Sequence, residues 1–166
     1  MSPRISAAQG FTIVELMVAL SIAAILLSIA VPSYSGSQLN SQLRASANDL
    51  IGSINLARSE AIKGGATVTL CASVNAETCG GTWKQGWIVL RGDEVLHSVS
   101  AMPAAFQLTE SFGNATLLFR STGIDATPAN FTLCRARPKA GSHERIVTID
   151  ATGRAFVGRT STGVCS

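Results

Sequence analysis

The side chain with the clearest chemical consequence is a carboxylate inside the most apolar stretch of the chain. Residues 11–31 are 21 consecutive positions in which Glu15 is the one ionisable residue. A charged group within a membrane helix costs roughly 2.5–3.5 kcal/mol on insertion scales, so Glu15 requires a partner. The alternative is a position close enough to the membrane surface for the carboxylate to reach the lipid head groups.

The cysteines form a second chemically distinct set, and all of them lie outside the apolar stretch. An even number of cysteines in an exported domain indicates disulfides, of which four residues allow three connectivities. We predict that Cys71 and Cys79 close a loop around seven residues and that Cys134 pairs with Cys165. The alternative is a four-cysteine zinc site, which the absence of a Cys-x-x-Cys pair disfavours.

Residues for catalysis are few. His97 and His143 are the only histidines, and neither lies in a nucleophile or metal-binding motif. The pairs Gly64-Gly65 and Gly80-Gly81 lack the lysine and the serine or threonine of a phosphate-binding loop, so turns explain them. The sequence predicts no enzyme, no cofactor and no metal site.

Basic residues are concentrated in the C-terminal third. Residues 120–166 hold seven of the 13 basic residues and three of the 10 acidic residues, a net charge of +4 for a chain whose total is +3. Arginine prevails there, and its planar fork suits phosphate oxygens, which indicates non-specific DNA binding. The alternative is a set of solvated arginines around a strand. The candidate DNA-binding residues are Arg135, Arg137, Lys139, Arg145, Arg154 and Arg159.

The apolar stretch predicts a transmembrane helix, because about 20 apolar residues cross a bilayer. The ten residues before it contain Arg4 and no acidic residue, so the positive-inside rule predicts a single-pass anchor with a cytoplasmic N-terminus and a periplasmic head. The alternative is a secretory signal peptide, since residues 28–30 imitate a small-residue cleavage site.

After the anchor the pattern becomes amphipathic, which predicts that the helix continues over residues 33–63 as a spine for the head. Pro32 predicts a kink, and Gly64-Gly65 predicts the end of the helix. The 53 residues of 11–63 would extend about 80 Å. The apolar stripe consists of Leu39, Leu43, Ala47, Leu50, Ile54, Ala57 and Ala61.

The segment 64–166 is typical of β-structure, with runs of branched and aromatic residues between turn residues. We therefore predict an α+β protein in which the helix packs on an antiparallel sheet. The predicted strands are Ala66–Cys71, Gly86–Arg91, Glu94–Val99, Thr116–Arg120, Phe131–Ala136, Arg145–Asp150 and Ala155–Gly158.

The run from Gly10 through Phe11 to Glu15 resembles the type IV prepilin motif, with a short basic leader before it and an apolar helix after it. This resemblance implies a leader peptide over residues 1–10, removed by a prepilin peptidase that cuts after Gly10. It also implies N-methylation of Phe11 and a role for Glu15 in assembly. The cationic partner of Glu15 would then be the amine of Phe11, in the same subunit or in a neighbouring one.

The stretches Leu43–Leu50 and Asn55–Lys63, with the strand that ends at Cys71, resemble the GspH/FimT family. That family comprises FimT and FimU-type minor pilins and the H-type pseudopilins of type II secretion. The resemblance implies a type IV pilin-like fold and a minor pilin of type IV pilus biogenesis. The implied partners are other pilin or pseudopilin subunits, the prepilin peptidase and an inner-membrane assembly platform. The alternative function is that of an H-type pseudopilin in protein secretion.

FimT-type minor pilins are associated with DNA uptake through a C-terminal Gly-Arg-x-Arg motif. In this chain Gly153 and Arg154 match the motif, whereas Phe156 stands where the second arginine is expected. Arg159 follows three residues later. The resemblance therefore supports DNA binding only in part.

Overall fold

The computed structural model describes residues 12–136 and 144–160, without the side chains of residues 30–33 and 35. The chain divides into two compact units, Met1–Gln38 and Leu39–Ser166. A helix, α1, spans Ile13–Gly64. The strands in the described ranges are β1 Val68–Ala72, β2 Gly86–Arg91, β3 Glu94–Ser100, β4 Phe106–Glu110, β5 Thr116–Phe119, β6 Ala129–Arg135, β7 Glu144–Ile149 and β8 Ala155–Thr160.

The first unit contributes the N-terminal part of α1. Its described backbone is helical from residue 13. Among residues 12–136 and 144–160, no helix has both the length and the apolar character that crossing a membrane requires. The predicted leader 1–10 and Phe11 lie outside the described residues, and the kink at Pro32 stays a prediction.

In the second unit α1 buries the stripe that its sequence predicted. Leu43, Leu50 and Ile54 are buried, and the small residues between them let the strands approach the helix closely. The helix ends at Gly64, one residue beyond the predicted end, and Gly65 follows it with a φ of +62°. Positive φ is the left-handed conformation in which glycine commonly terminates helices.

The predicted sheet is in fact two antiparallel sheets of four strands, ordered β3-β2-β1-β5 and β4-β6-β7-β8. The strands form two sheets because β5 pairs with β1, whereas β4, which precedes β5 in sequence, pairs with β6. β4 was not predicted. The other seven strands lie within two residues of their predicted bounds.

Both sheets place alternate side chains on one continuous core with the helix. The largest fully buried side chains in it are aromatic: Trp87 and Phe119 from the first sheet, and Phe106 and Phe131 from the second. The indole Nε1 of Trp87 donates a hydrogen bond of 2.9 Å to the buried Oγ of Ser53 on α1. This bond satisfies a polar group that would otherwise be buried without a partner.

Candidate assembly segment and arginine cleft

Thr12 caps the N-terminus of α1. Its Oγ1 accepts a hydrogen bond of 3.2 Å from the backbone amide of Glu15, the geometry of an N-cap bonded to the third residue of a helix. A carboxylate at that third position also lies near the positive end of the helix dipole. Glu15 therefore has a local stabilising role in addition to any contact with an amine.

The first unit exposes apolar side chains on every side of the helix. They extend from Ile13, which is 79% exposed, to Ile29, which is 70% exposed. Apolar residues on all sides are typical of helices that lie in the core of a large protein or in a membrane. Glu15 is the one ionisable residue of this surface.

A disulfide joins Cys71 at the end of β1 to Cys79, across a Cα–Cα distance of 5.6 Å. Within the enclosed loop the hydroxyl of Ser73 donates to the backbone carbonyl of Thr78 over 2.7 Å. Cys134 in β6 is also disulfide-bonded. Cys165, its predicted partner, lies outside the described residues.

The turn between β7 and β8 is built around Asp150. Its carboxylate accepts hydrogen bonds from the hydroxyl of Thr152 at 2.6 Å and from the backbone amide of Arg154 at 3.0 Å. These bonds lower the pKa of Asp150 below its ordinary value, the hydroxyl of Thr152 contributing most. Gly153 has a φ of +71° in this turn. The Gly-Arg pair of the sequence motif is therefore part of a hairpin turn.

The hairpin separates the candidate DNA-binding arginines. Arg159 in β8 lies directly opposite Arg145 in β7, so the two side chains share one face of the sheet. Phe156 is an odd number of residues from Arg159 within β8, so its ring projects from the opposite face. The guanidinium of Arg154, in the turn before β8, lies over this ring, 5.0 Å from the ring centre.

Arg135 is the other candidate in a described strand, and it lies outside this pair. Arg135 ends β6 opposite Phe106, one strand away from Arg145. Arg137 and Lys139 lie outside the described residues. The exposed His97 is in β3, while His143 lies outside the described ranges. In the described part of the chain, no group of three or more potential ligand residues could hold a metal ion.

Arg145 and Arg159 meet a third arginine, Arg44 of α1, which the sequence did not single out. The three line a cleft of about 230 Å³ between the helix and the β7–β8 hairpin, with Asn48 beside them. We call this site the arginine cleft. The register that pairs Arg145 with Arg159 is centred on Thr152. Nothing in the pattern placed Arg44 with them, because contact between helix and sheet depends on the tertiary fold.

Arg145 is the innermost of the three, with 6% of its surface exposed. Burial lowers its pKa, and the charges of Arg159 and Arg44 lower it further. One guanidinium nitrogen donates to the backbone carbonyl of Glu144 over 3.2 Å. Within the described residues no carboxylate pairs with any arginine of the cleft.

Comparison with solved structures gives the class of the protein. The type IV minor pilin FimU of Pseudomonas aeruginosa is similar in two crystal forms. In one the identity is 19% and the TM-score 0.60, over 76% of this chain and 97% of that one. In the other the identity is 18% and the TM-score 0.57, over 74% and 99% of the two chains. The minor pseudopilin EpsH of the Vibrio cholerae type 2 secretion system has 15% identity and a TM-score of 0.50, over 74% and 98%. The fold is therefore that of type IV pilin-like subunits.

Sequence comparison gives the family. Residues 46–153 match the family described as Type II transport protein GspH, and residues 5–31 match the prokaryotic N-terminal methylation motif. The chain belongs to the GspH family of minor pilins and pseudopilins, which act in type IV pili or type II secretion. Subunits of this family are structural proteins, so the chain is not an enzyme. The curated proteins contain no match to the sequence.

Proposed function

We propose that the chain is a minor subunit of a type IV pilus, anchored in the inner membrane by residues 11–31 until it is assembled. The prepilin peptidase removes residues 1–10 by cutting after Gly10, and Phe11 is then N-methylated. An inner-membrane platform moves the apolar helix into a filament of pilin subunits. There the carboxylate of Glu15 pairs with the amine of Phe11, in the same subunit or its neighbour.

The observation that carries this proposal is the surface of α1 before Gln38. The large apolar side chains described between Ile13 and Ile29 are exposed, and the core cluster of the second unit consists of its own residues. A helix packed among identical or related helices covers such a surface as completely as lipid does. Transfer from the membrane to a filament therefore costs little, provided that Glu15 is neutralised in both places.

Two substitutions separate processing from assembly. We expect Gly10→Ala to leave the leader attached, because the peptidase cuts after glycine. Glu15→Ala should be processed normally but enter filaments at least tenfold less often, as measured by immunoblots of sheared filaments. Ser21→Ala is the matched control, since Ser21 is polar, exposed and bonded only within its own helix. Equal filament levels for Glu15→Ala and the control would contradict the proposal.

The alternative is an H-type pseudopilin of type II secretion, which shares every step at the N-terminus. Deletion of the gene decides between the two machines. Loss of surface pili with normal export of secreted enzymes supports the pilus. Retention of pili with loss of secretion supports the pseudopilin.

DNA capture is a second candidate function, favoured by the exposed position of Arg154 at the β7–β8 turn and by the +4 charge of the C-terminal third. Non-specific binding depends on phosphate contacts and weakens as salt rises. We expect a mobility shift with duplex DNA at low salt that Arg154→Ala and Arg159→Ala each weaken. The absence of a shift at low salt would remove this candidate.

A further inference from the structure

The arginine cleft brings three cations from three separate elements to one small site. Arg145 and Arg159 are fixed by the register of β7 and β8. Arg44 comes from α1, a turn before the buried residue Ala47. A strand pair and a packed helix hold a site more firmly than loops do.

The electrostatics of the free cleft are unfavourable. Arg145 is buried, and the charges of Arg44 and Arg159 both disfavour its own charge. Arg44 and Arg159 are exposed, so their repulsion acts mainly on the buried charge of Arg145. In the described part of the chain no ion pair involves these three arginines, and an anion bound in the cleft would offset their repulsion.

The size of the cleft restricts that anion. Its volume of about 230 Å³ is below the roughly 300–1,000 Å³ of sites for drug-sized ligands. A compact group fits, and three guanidinium forks offer more donors than one carboxylate can accept. Arginine binds phosphate oxygens through paired, charge-assisted hydrogen bonds. A dianion also balances more of the three positive charges than a monoanion does.

We propose that the arginine cleft is a binding site for one compact dianionic oxyanion, either inorganic phosphate or the phosphate of a phosphomonoester. Arg145 forms the floor of the site, and Arg44 and Arg159 close on the anion from the helix and the hairpin. Asn48 adds an amide donor at the wall. This site is distinct from the filament surface of the first unit and from the exposed Arg154.

The test uses the full-length protein purified in detergent, titrated by calorimetry in chloride buffers of constant ionic strength. The probes are inorganic phosphate, glycerol 3-phosphate, and dimethyl phosphate as a monoanionic diester. We expect the first two to bind at least tenfold more tightly than dimethyl phosphate. Equal or tighter binding of the diester, or no binding of phosphate, would overturn the proposal.

Variants locate the site. Arg44→Gln and Arg159→Gln should each weaken phosphate binding at least tenfold, whereas Arg154→Gln, in the turn before β8, should leave it unchanged. Arg145→Met should abolish the binding and raise the melting temperature of the free protein, because it removes the buried charge. Phosphate binding that depends on Arg154 as much as on Arg159 would contradict a recessed site. So would a duplex DNA shift that depends on Arg44 when phosphate does not bind.

Discussion

At the scale of single residues, the polar contact with the largest predicted effect on stability joins α1 to β2. The indole of Trp87 has Ser53 as its acceptor, and both residues are buried. Ser53→Ala leaves the indole N–H without that partner, which costs about 1–3 kcal/mol. We expect a corresponding decrease in the free energy of unfolding, measured by urea denaturation. Ser59→Ala, an exposed change on the same helix, is the control and should be within about 0.5 kcal/mol of wild type.

Asp150 gives a prediction that depends on pH. Its folded pKa lies below the ordinary 3.8, so its hydrogen bonds stabilise the fold above about pH 3.8 and lose that effect as the pH falls through the lowered value. Asp150→Ala should therefore lower the melting temperature at pH 7, and the difference from wild type should shrink towards pH 2. Asp150→Asn keeps a hydrogen-bond acceptor, so its melting temperature at neutral pH should fall less than that of Asp150→Ala. A difference between wild type and Asp150→Ala that is the same at both pH values would exclude this role.

Sequence identifies single residues well when their function depends on neighbours along the chain. The predicted roles of Gly10 and Glu15 rest on such a local motif. The same holds for Cys71 and Cys79, whose loop is short. Arg44 is not recognisable, because its significance arises from packing against β7 and β8 and leaves no periodic signal.

At the scale of elements, Gly153 tests whether the Gly-Arg pair is required by the hairpin. A Cβ at this position would lie 3.2 Å from the Cβ of Ala126 and 3.3 Å from the Cδ of Arg58, at a φ of +71°. Gly113 has a similar φ of +77° and open space around it. Both alanine variants incur the cost of the left-handed conformation, about 1–2 kcal/mol. We expect Gly153→Ala to be destabilised by about 1 kcal/mol more than Gly113→Ala, from the crowding.

Thermal or urea unfolding of the two variants measures that difference. Equal destabilisation would mean that the hairpin adjusts to a side chain and that the packing of Gly153 does not require glycine. The Gly-Arg pair would then need an explanation other than the turn.

The positions of most strands could be predicted from their own residues, whereas the pairing of the strands could not. Seven were predicted because branched and aromatic runs lie between clear turns. β4 alternates between buried and exposed residues as a strand should, but it is short and contains only two large apolar residues. The division into two sheets depends on which strands pair, and pairing between distant strands is not encoded in the pattern of any one of them.

At the scale of the whole molecule, the second unit contains its own core. Its helix stripe, both sheets and the Trp87–Ser53 contact all lie within Leu39–Ser166. We therefore expect a fragment beginning at Leu39 to be soluble and to unfold in one cooperative transition by circular dichroism. A fragment beginning at Leu56 lacks Leu43, Leu50 and Ile54 and should not fold. Cooperative unfolding of the shorter fragment would show that the helix stripe is dispensable.

The packing of a helix on antiparallel strands was predictable from the sequence pattern. Apolar residues recur at helical spacing up to Gly64-Gly65, and after this pair the pattern changes to that of strands separated by turns. The role of the first unit in anchoring and assembly stays a prediction. Whether pili or secretion recruit the subunit depends on surfaces that contact other proteins, and such surfaces have no general sequence pattern.

The proposed cleavage after Gly10 and methylation of Phe11 fix the N-terminus of the mature protein. Intact-mass measurement and N-terminal sequencing of the protein extracted from membranes and from filaments should both identify Phe11 as the first residue, carrying one added methyl group. A mature chain that begins at any other residue, or that retains residues 1–10, would contradict the account.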